Sequence, residues 1–210
     1  EAYIKMPAII GNSGNGPVFE MNLFYSPLTN NQAALGDGWE FSPTLYSEEY
    51  ERLTLHSGET LSLKKGKNLN TPTIDAEWDN DGKLKVRRGG RVELLSKLED
   101  TLFYFPEWLT DDGYNKLHFN WIATPHIIEG KTYYQTKLQS IRDGDGEGDP
   151  LIEIEYTLAN DTDQPAITPV TITYWPTHPA EKLRYQLNIE DYALTSVVLA
   201  DDIQTKLEYL

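Results

Sequence analysis

The chain has 210 residues, of which 39% are hydrophobic, so it can bury a core and is not a disordered chain. Its 18 basic and 33 acidic residues give a net charge of −15, which disfavours nucleic acid as a partner, and no apolar run is long enough to span a membrane. The absence of cysteine excludes disulfides, thiolate metal sites and a thiol nucleophile.

Short runs of β-branched and aromatic residues recur along the chain between Gly, Pro, Asn and Asp, which is typical of strands and turns. Val18–Tyr25 is predicted to be a strand that ends at Ser26-Pro27, because proline cannot donate to a sheet. Leu53–Leu63 is predicted to be a hairpin that turns at Ser57-Gly58 and buries a face of leucines, namely Leu53, Leu55, Leu61 and Leu63.

Two consecutive hairpins follow, over Glu77–Arg87 with its Asn80-Asp81-Gly82 turn, and through Gly89-Gly90 into Arg91–Leu95. Further strands are predicted at Thr101–Phe105, Lys116–Trp121, Thr132–Ile141, Leu151–Thr157, Val170–Trp175, Leu183–Ile189 and Leu194–Leu199. The prediction is therefore an all-β fold of mostly antiparallel strands and hairpins, in a meander or curved sheet, with residues 1–210 as one segment.

Three segments depart from the regular alternation of strands and turns. Ser47–Leu53 and Ser96–Asp100 have a helical pattern but are short for a helix. Asn160–Pro169 is polar and bounded by prolines, and we predict a surface loop there.

The chain starts at Glu1 and stops inside a strand-like run, Gln204–Leu210, so we interpret it as a piece of a longer polypeptide.

No pattern in the sequence predicts a catalytic, cofactor-binding or metal-binding residue. The four histidines, which are His56, His118, His126 and His178, lie far apart and form no metal-binding spacing. Ser13, within Gly11–Gly16, lacks the second flanking glycine of a nucleophile elbow, and the same glycines lack the Gly-Lys-Ser/Thr of a phosphate loop. A pair of glycosidase carboxylates could be hidden among 33 acidic residues, but no pair stands out. We expect no enzyme activity.

The run Asp143–Asp149 alternates acidic residues with glycines, as the first half of a calcium-binding loop does. Its candidate ligands are Asp143, Asp145, Glu147 and Asp149. The twelfth position from Asp143 is Ile154 instead of the bidentate glutamate, and both flanks look like strands. An acidic turn is therefore favoured over a calcium site, which stays open as the alternative.

Aromatic residues offer a second functional interpretation, because they could form a platform for stacking sugars. The candidates are Trp39, Trp108, Trp121 and Trp175, together with several of the 13 tyrosines. A β chain of this size must also fill its core with large side chains, and core packing is the favoured interpretation.

The order of motifs along the chain is informative: Gly16-Pro17 before a strand, Tyr25-Ser-Pro-Leu28, Gly36-Asp-Gly-Trp39 and Leu53-Thr-Leu-His-Ser-Gly-Glu-Thr60. In this order they resemble the N-terminal region of an RHS-family (rearrangement hotspot, YD-repeat) protein, a family related to the shell subunits of insecticidal toxin complexes. The likeness continues through Gly90–Leu95, Leu138–Asp143, Trp175-Pro176 and Tyr192–Val197.

This resemblance implies a wall segment of a larger β shell on a secreted or surface-delivered bacterial protein. Its partners would be the rest of the same RHS polypeptide and a C-terminal toxin, with a host surface as a further contact. The chain has only a partial form of the family's YD repeat, Lys182–Leu187, and Gly148-Asp149-Pro150 lacks the context of a self-cleavage site. The competing hypothesis is an extracellular module that binds glycans through exposed aromatic side chains.

Overall fold

The structure, a computed structural model, describes residues 2–25, 34–111, 114–156, 169–199 and 204–206. The protein is nearly all β, with 59% of residues in strands and 2% in helix, and it confirms the predicted fold class. The strands β1 to β20 are Ala2–Ile4, Ile9–Ile10, Val18–Phe19, Leu23–Tyr25, Trp39–Phe41, Leu45–Ser47, Arg52–Thr54, Thr60–Ser62, Leu69–Asn70, Ile74–Trp78, Leu84–Arg88, Arg91–Lys97, Phe103–Asp111, Asn115–Ile128, Lys131–Asp143, Pro150–Tyr156, Val170–Tyr174, Leu183–Glu190, Ala193–Leu199 and Gln204–Lys206. One short helical turn, α1, covers Gly11–Gly14.

Twelve strands, β9 to β20, lie side by side in chain order in one sheet, and each pairs antiparallel with the next. Strands β6, β7 and β8 form a branch that joins this sheet where β6 pairs with β13. Two small sheets, β1-β4-β5 and β2-β3, are formed by the N-terminal residues. Because sequential strands need only short turns, the Gly, Asn and Asp residues between the strands account for most of this topology.

One face of the large sheet is buried along successive strands. The cross-strand row Ala76, Val86, Glu93, Leu109 and Leu117 is buried at every position. The row follows from the period of two residues, since alternate side chains of a strand point to the same face. The carboxylate of Glu93 accepts hydrogen bonds from Thr44 Oγ1 at 2.9 Å and Arg91 Nε at 3.0 Å, which compensates its burial.

The N-terminal strands cover this face and complete the core. Met6, Ile9, Phe19, Met21 and Leu23 pack with residues of β14 to β19 in the larger of two apolar clusters. The smaller cluster lies under the β6-β7-β8 branch and contains the predicted hairpin residues Leu53, Leu55 and Leu63, with Leu61 partly buried at its margin. The Leu53–Leu63 hairpin, its turn and its buried leucine face are thus confirmed.

Three aromatic rings meet at the margin of the smaller cluster. The centroids of Tyr46, Trp78 and Tyr104 are 5.1 to 5.6 Å apart, in edge-to-face arrangements. Tyr104 Oη donates to Glu48 at 3.0 Å, and Glu48 also pairs with Lys65 Nζ at 2.8 Å and Lys97 Nζ at 3.4 Å. Burial raises the pKa of Tyr46 to about 12, with the carboxylate of Glu51 adding to the effect.

One prediction of local structure is wrong. Val18–Tyr25 is two strands, because Val18–Phe19 pairs with β2 whereas Leu23–Tyr25 pairs with β1 and β5. The helical pattern of Ser47–Leu53 and Ser96–Asp100 forms no helix: the first segment is a turn between two strand ends, and the second is a strand end followed by a turn. The other predicted strands are present, but β13 runs to Asp111 instead of Phe105 and β14 to Ile128 instead of Trp121, and the predicted strand end at Thr157 lies outside the described residues.

Several predictions lie wholly or partly outside the described residues. These are the strand end at Ser26-Pro27, the loop at Asn160–Pro169 apart from Pro169, and the C-terminal run Gln204–Leu210 beyond β20. Within the described ranges, no helix reaches the length and apolar character that a membrane crossing requires.

Candidate functional site

A surface hollow of about 340 Å³ lies beside the ends of two interior strands of the large sheet, where β14 begins and β15 ends. Three chain segments form it: the α1 turn, the start of β14 and the acidic turn between β15 and β16. They contribute Asn12, then Tyr114, Asn115 and Lys116, then Asp143, Gly144, Asp145, Gly148 and Asp149. The hollow is therefore lined mainly by polar groups.

Asp143 joins the acidic turn to the N-terminal turn. Both of its carboxylate oxygens accept hydrogen bonds from the backbone N–H of Asn12, at 3.0 and 2.9 Å. Asn12 and Ser13 have φ of 49° and 54°, so the α1 segment is a left-handed turn and not a true helix. Ser13 therefore lies within a turn.

The acidic turn folds back on itself through backbone hydrogen bonds. Asp143 N–H donates to Asp149 O at 3.2 Å, and Gly144 N–H donates to Lys116 O at 2.8 Å. Arg142, the residue before the turn, donates from Nη1 to Gly148 O at 3.1 Å, and this hydrogen bond also stabilises the turn. A Cβ atom at Gly148 would lie 2.1 Å from Asp143 O, so only glycine fits this position.

The charges around the hollow are partly compensated. Lys116 Nζ lies 3.1 Å from Asp145 and 4.8 Å from the centre of the Trp108 ring. Asp149 lies 3.7 Å from His178 Nε2, and both side chains are more than half exposed. One lysine thus faces three aspartates, and the hollow keeps a negative character.

The calcium hypothesis finds limited geometric support. Asp143, Asp145 and Asp149 all line the hollow, whereas Glu147 does not line it and is exposed. Asp143 is engaged by backbone N–H groups and Asp145 by a lysine. Among the described residues, no three His, Cys, Asp or Glu side chains are grouped so that they could hold a metal ion.

The histidines are scattered through the described part of the fold. His56 contacts Ser42 O through Nδ1 and packs on Phe19 at 5.2 Å, and His118 lies between Trp108 and Arg142 in the sheet. His178 lies near Asp149, and the side chain of His126 is not among those that the structure describes.

Most tryptophans contribute to packing, as the core interpretation predicts. Trp39 is 3% exposed, and Trp121 stacks on Phe105 at 4.6 Å while its Nε1–H donates to Pro106 O at 2.8 Å. Trp175 packs at the margin of the larger cluster. Trp108 is partly exposed beneath Lys116. Among the residues that the structure describes, the most exposed aromatic residue is instead Tyr114, at 92%.

The hollow includes residues that sequence reasoning did not single out, namely Asn12, Tyr114, Asn115 and Lys116. The Asn12–Asp143 contact joins positions 131 residues apart, and no local signal predicts it. A comparison with models of known protein families gives no match, and a search of curated proteins finds no related sequence.

Proposed function

We propose that this chain is a structural wall segment of an RHS-type bacterial shell that encloses a C-terminal toxin and helps to deliver it. The proposal combines the motif order of the sequence with one structural observation, which is the run of twelve strands in strict chain order. A meander of this kind grows by adding hairpins at its edge, so a wall of any extent can be built from one polypeptide.

Both ends of the meander are short strands. The strand at one end, β9, has two residues and the strand at the other end, β20, has three. Within the described residues, each pairs on one side only. An end strand carries unpaired N–H and C=O groups, but an edge this short limits further pairing, so the proposed continuation into the rest of the same polypeptide rests on the strict chain order of the strands.

The buried face of the sheet also suits a wall. The N-terminal strands and the β6-β7-β8 branch cover it as a second layer, so the sheet has one packed face and one face with polar groups, such as Lys85 and Arg87. A layer with one packed and one polar face can separate a lumen from the exterior. Secretion or surface display by a bacterium is part of this proposal.

The competing hypothesis, an extracellular module that binds glycans through exposed aromatic side chains, has less support from the tryptophans. Trp39 and Trp121 are engaged in packing, and a stacking platform needs rings with free faces. No specific observation on the tryptophans favours that function over the wall.

The test uses the longer polypeptide that contains this chain and its downstream region. Electron microscopy should show hollow particles, and a protease should degrade the C-terminal region only after the particles are opened with denaturant. A matched variant that lacks residues 1–210 should leave the C-terminal region open to protease. Solid particles, or equal protection without residues 1–210, would refute the wall function.

A further inference from the structure

We propose that the hollow between the α1 turn and the acidic turn binds one ring of a neutral saccharide. This inference shares its ligand class with the competing glycan hypothesis but uses Tyr114 instead of the tryptophans, and it does not depend on the wall function. The volume of about 340 Å³ lies at the lower end of the range for small-molecule sites, which is roughly 300–1,000 Å³. It suits a small ligand that is held weakly.

Tyr114 supplies the apolar part of the site. Tyr114, the residue before β14, is 92% exposed, and an aromatic ring in water forgoes the gain from burial. The face of an aromatic ring is negatively polarised and attracts the C–H groups on one side of a sugar ring. Tyr114 thus presents a stacking surface next to the hollow.

The polar lining matches the hydroxyl groups of a sugar. Asn12 and Asn115 carry amide groups that both donate and accept hydrogen bonds, and Asp149 carries a carboxylate that is 70% exposed. A sugar hydroxyl also donates and accepts, and its hydrogen bond to a carboxylate is strengthened by the charge. These three side chains therefore offer the donors and acceptors that sugar hydroxyls need.

The charges argue against an anion or a metal ion as the ligand. An anion would meet Asp143, Asp145 and Asp149, and the lysine of the lining, Lys116, is already paired with Asp145 at 3.1 Å. A metal ion would need ligands from Asp143, whose two oxygens accept the Asn12 N–H, and from Asp145. A neutral ligand with many hydroxyls satisfies the lining without breaking these contacts.

The experiment is saturation-transfer NMR on the intact chain with four probes: methyl glucoside, methyl galactoside, methyl mannoside and N-acetylglucosamine. At least one of the four sugars should show saturation transfer, and its Kd should lie in the millimolar range. Tyr114→Ala should weaken binding at least tenfold, and Asp149→Asn should weaken it several-fold. Tyr50→Ala is the matched control, because Tyr50 is 70% exposed and does not line the hollow.

Three results would overturn the saccharide site. They are no transfer to any of the four sugars, transfer that Tyr114→Ala leaves unchanged, and transfer to a charged analogue such as glucosamine or glucose 6-phosphate without transfer to the neutral sugars. Because Tyr114 is exposed, its alanine variant should keep the melting temperature of the parent, which is measured alongside. Loss of the wall function would change the particles and their protease protection, and would leave this NMR result unaffected.

Discussion

Gly36 lies so close to Leu194 that a Cβ atom on it would be 2.7 Å from the Leu194 backbone nitrogen. Its φ is +101°, and the next residue, Asp37, donates its N–H to Tyr192 O at 2.6 Å. This contact docks the segment before β5 onto the β18-β19 hairpin. The Gly36-Asp-Gly-Trp39 motif therefore has a packing role as well as a turn role.

We expect Gly36→Ala to destabilise the protein by more than the conformational strain alone, because the backbone of Leu194 would have to move. Gly58→Ala is the control, since Gly58 also has a positive φ of +91° but open space around it. In urea unfolding, Gly58→Ala should lower the free energy of unfolding by about 1 kcal/mol, and Gly36→Ala should lower it by at least twice that amount. Equal losses would show that the contact with Leu194 is unimportant.

The turn of the β18-β19 hairpin contains two non-glycine residues in the left-handed region. Asp191 and Tyr192 have φ of 48° and 65°, and Tyr192 is 74% exposed. Tyr192→Gly should therefore raise the free energy of unfolding by about 1 kcal/mol, because glycine relieves the strain. Tyr192→Ala removes the ring but keeps the Cβ, and it should stay close to the parent. If Tyr192→Ala raised the free energy of unfolding as much as Tyr192→Gly, backbone strain would not be the cause.

Leu55 is 3% exposed in the smaller apolar cluster. Leu55→Ala should cost about 2–5 kcal/mol of unfolding free energy, through lost burial and the cavity that remains. Leu102→Ala, at a leucine that is 45% exposed, is the matched control and should cost far less. An unchanged denaturation midpoint for Leu55→Ala would mean that the cluster does not stabilise the hairpin.

Glu48 makes stability depend on pH. The hydrogen bond from Lys65 lowers the pKa of Glu48, with further hydrogen bonds from Tyr104 and Lys97. A lowered pKa in the folded state stabilises the protein above the unfolded pKa of 4.5, and this contribution is lost as the pH falls through the folded pKa.

The melting temperature of Glu48→Gln should accordingly be a few degrees below that of the parent at pH 7, and the two should converge in acid. The difference is small because the ion pairs are partly exposed. Glu49→Gln removes the same charge from an exposed neighbour. The difference in melting temperature between this variant and the parent should not depend on pH in the same way. Parallel curves for the parent and Glu48→Gln would refute the role of Glu48.

Lys137 is only 8% exposed, and its Nζ lies 5.3 Å from the centre of the Tyr156 ring. Burial lowers the pKa of Lys137, so the folded state disfavours the charged amine and is penalised at neutral pH. Lys137→Met should raise the melting temperature at pH 7, and the advantage should shrink as the pH rises towards 10.5. Lys131→Met, at an exposed lysine on the same strand, should have little effect. A lower melting temperature for Lys137→Met would show that the contact with Tyr156 outweighs the burial penalty.

The sequence by itself determined the hairpins, because their causes are local. Alternation with a period of two and turn residues such as Ser57-Gly58 and Asn80-Asp81-Gly82 act over a few positions, and strands joined by such turns pair with their neighbours in the chain. For the same reason the strict chain order of β9 to β20 could be anticipated as a meander.

The tertiary structure decided the contacts between distant residues. It divided Val18–Tyr25 between two sheets, because each half pairs with a different strand while Phe19, Met21 and Leu23 share one core. It also brought Asn12 to Asp143 and so formed the hollow. Such contacts depend on how the N-terminal strands pack over the sheet, and this packing is set by the burial of a whole apolar face. Turn residues act only on their neighbours in the chain, so they could not predict these contacts.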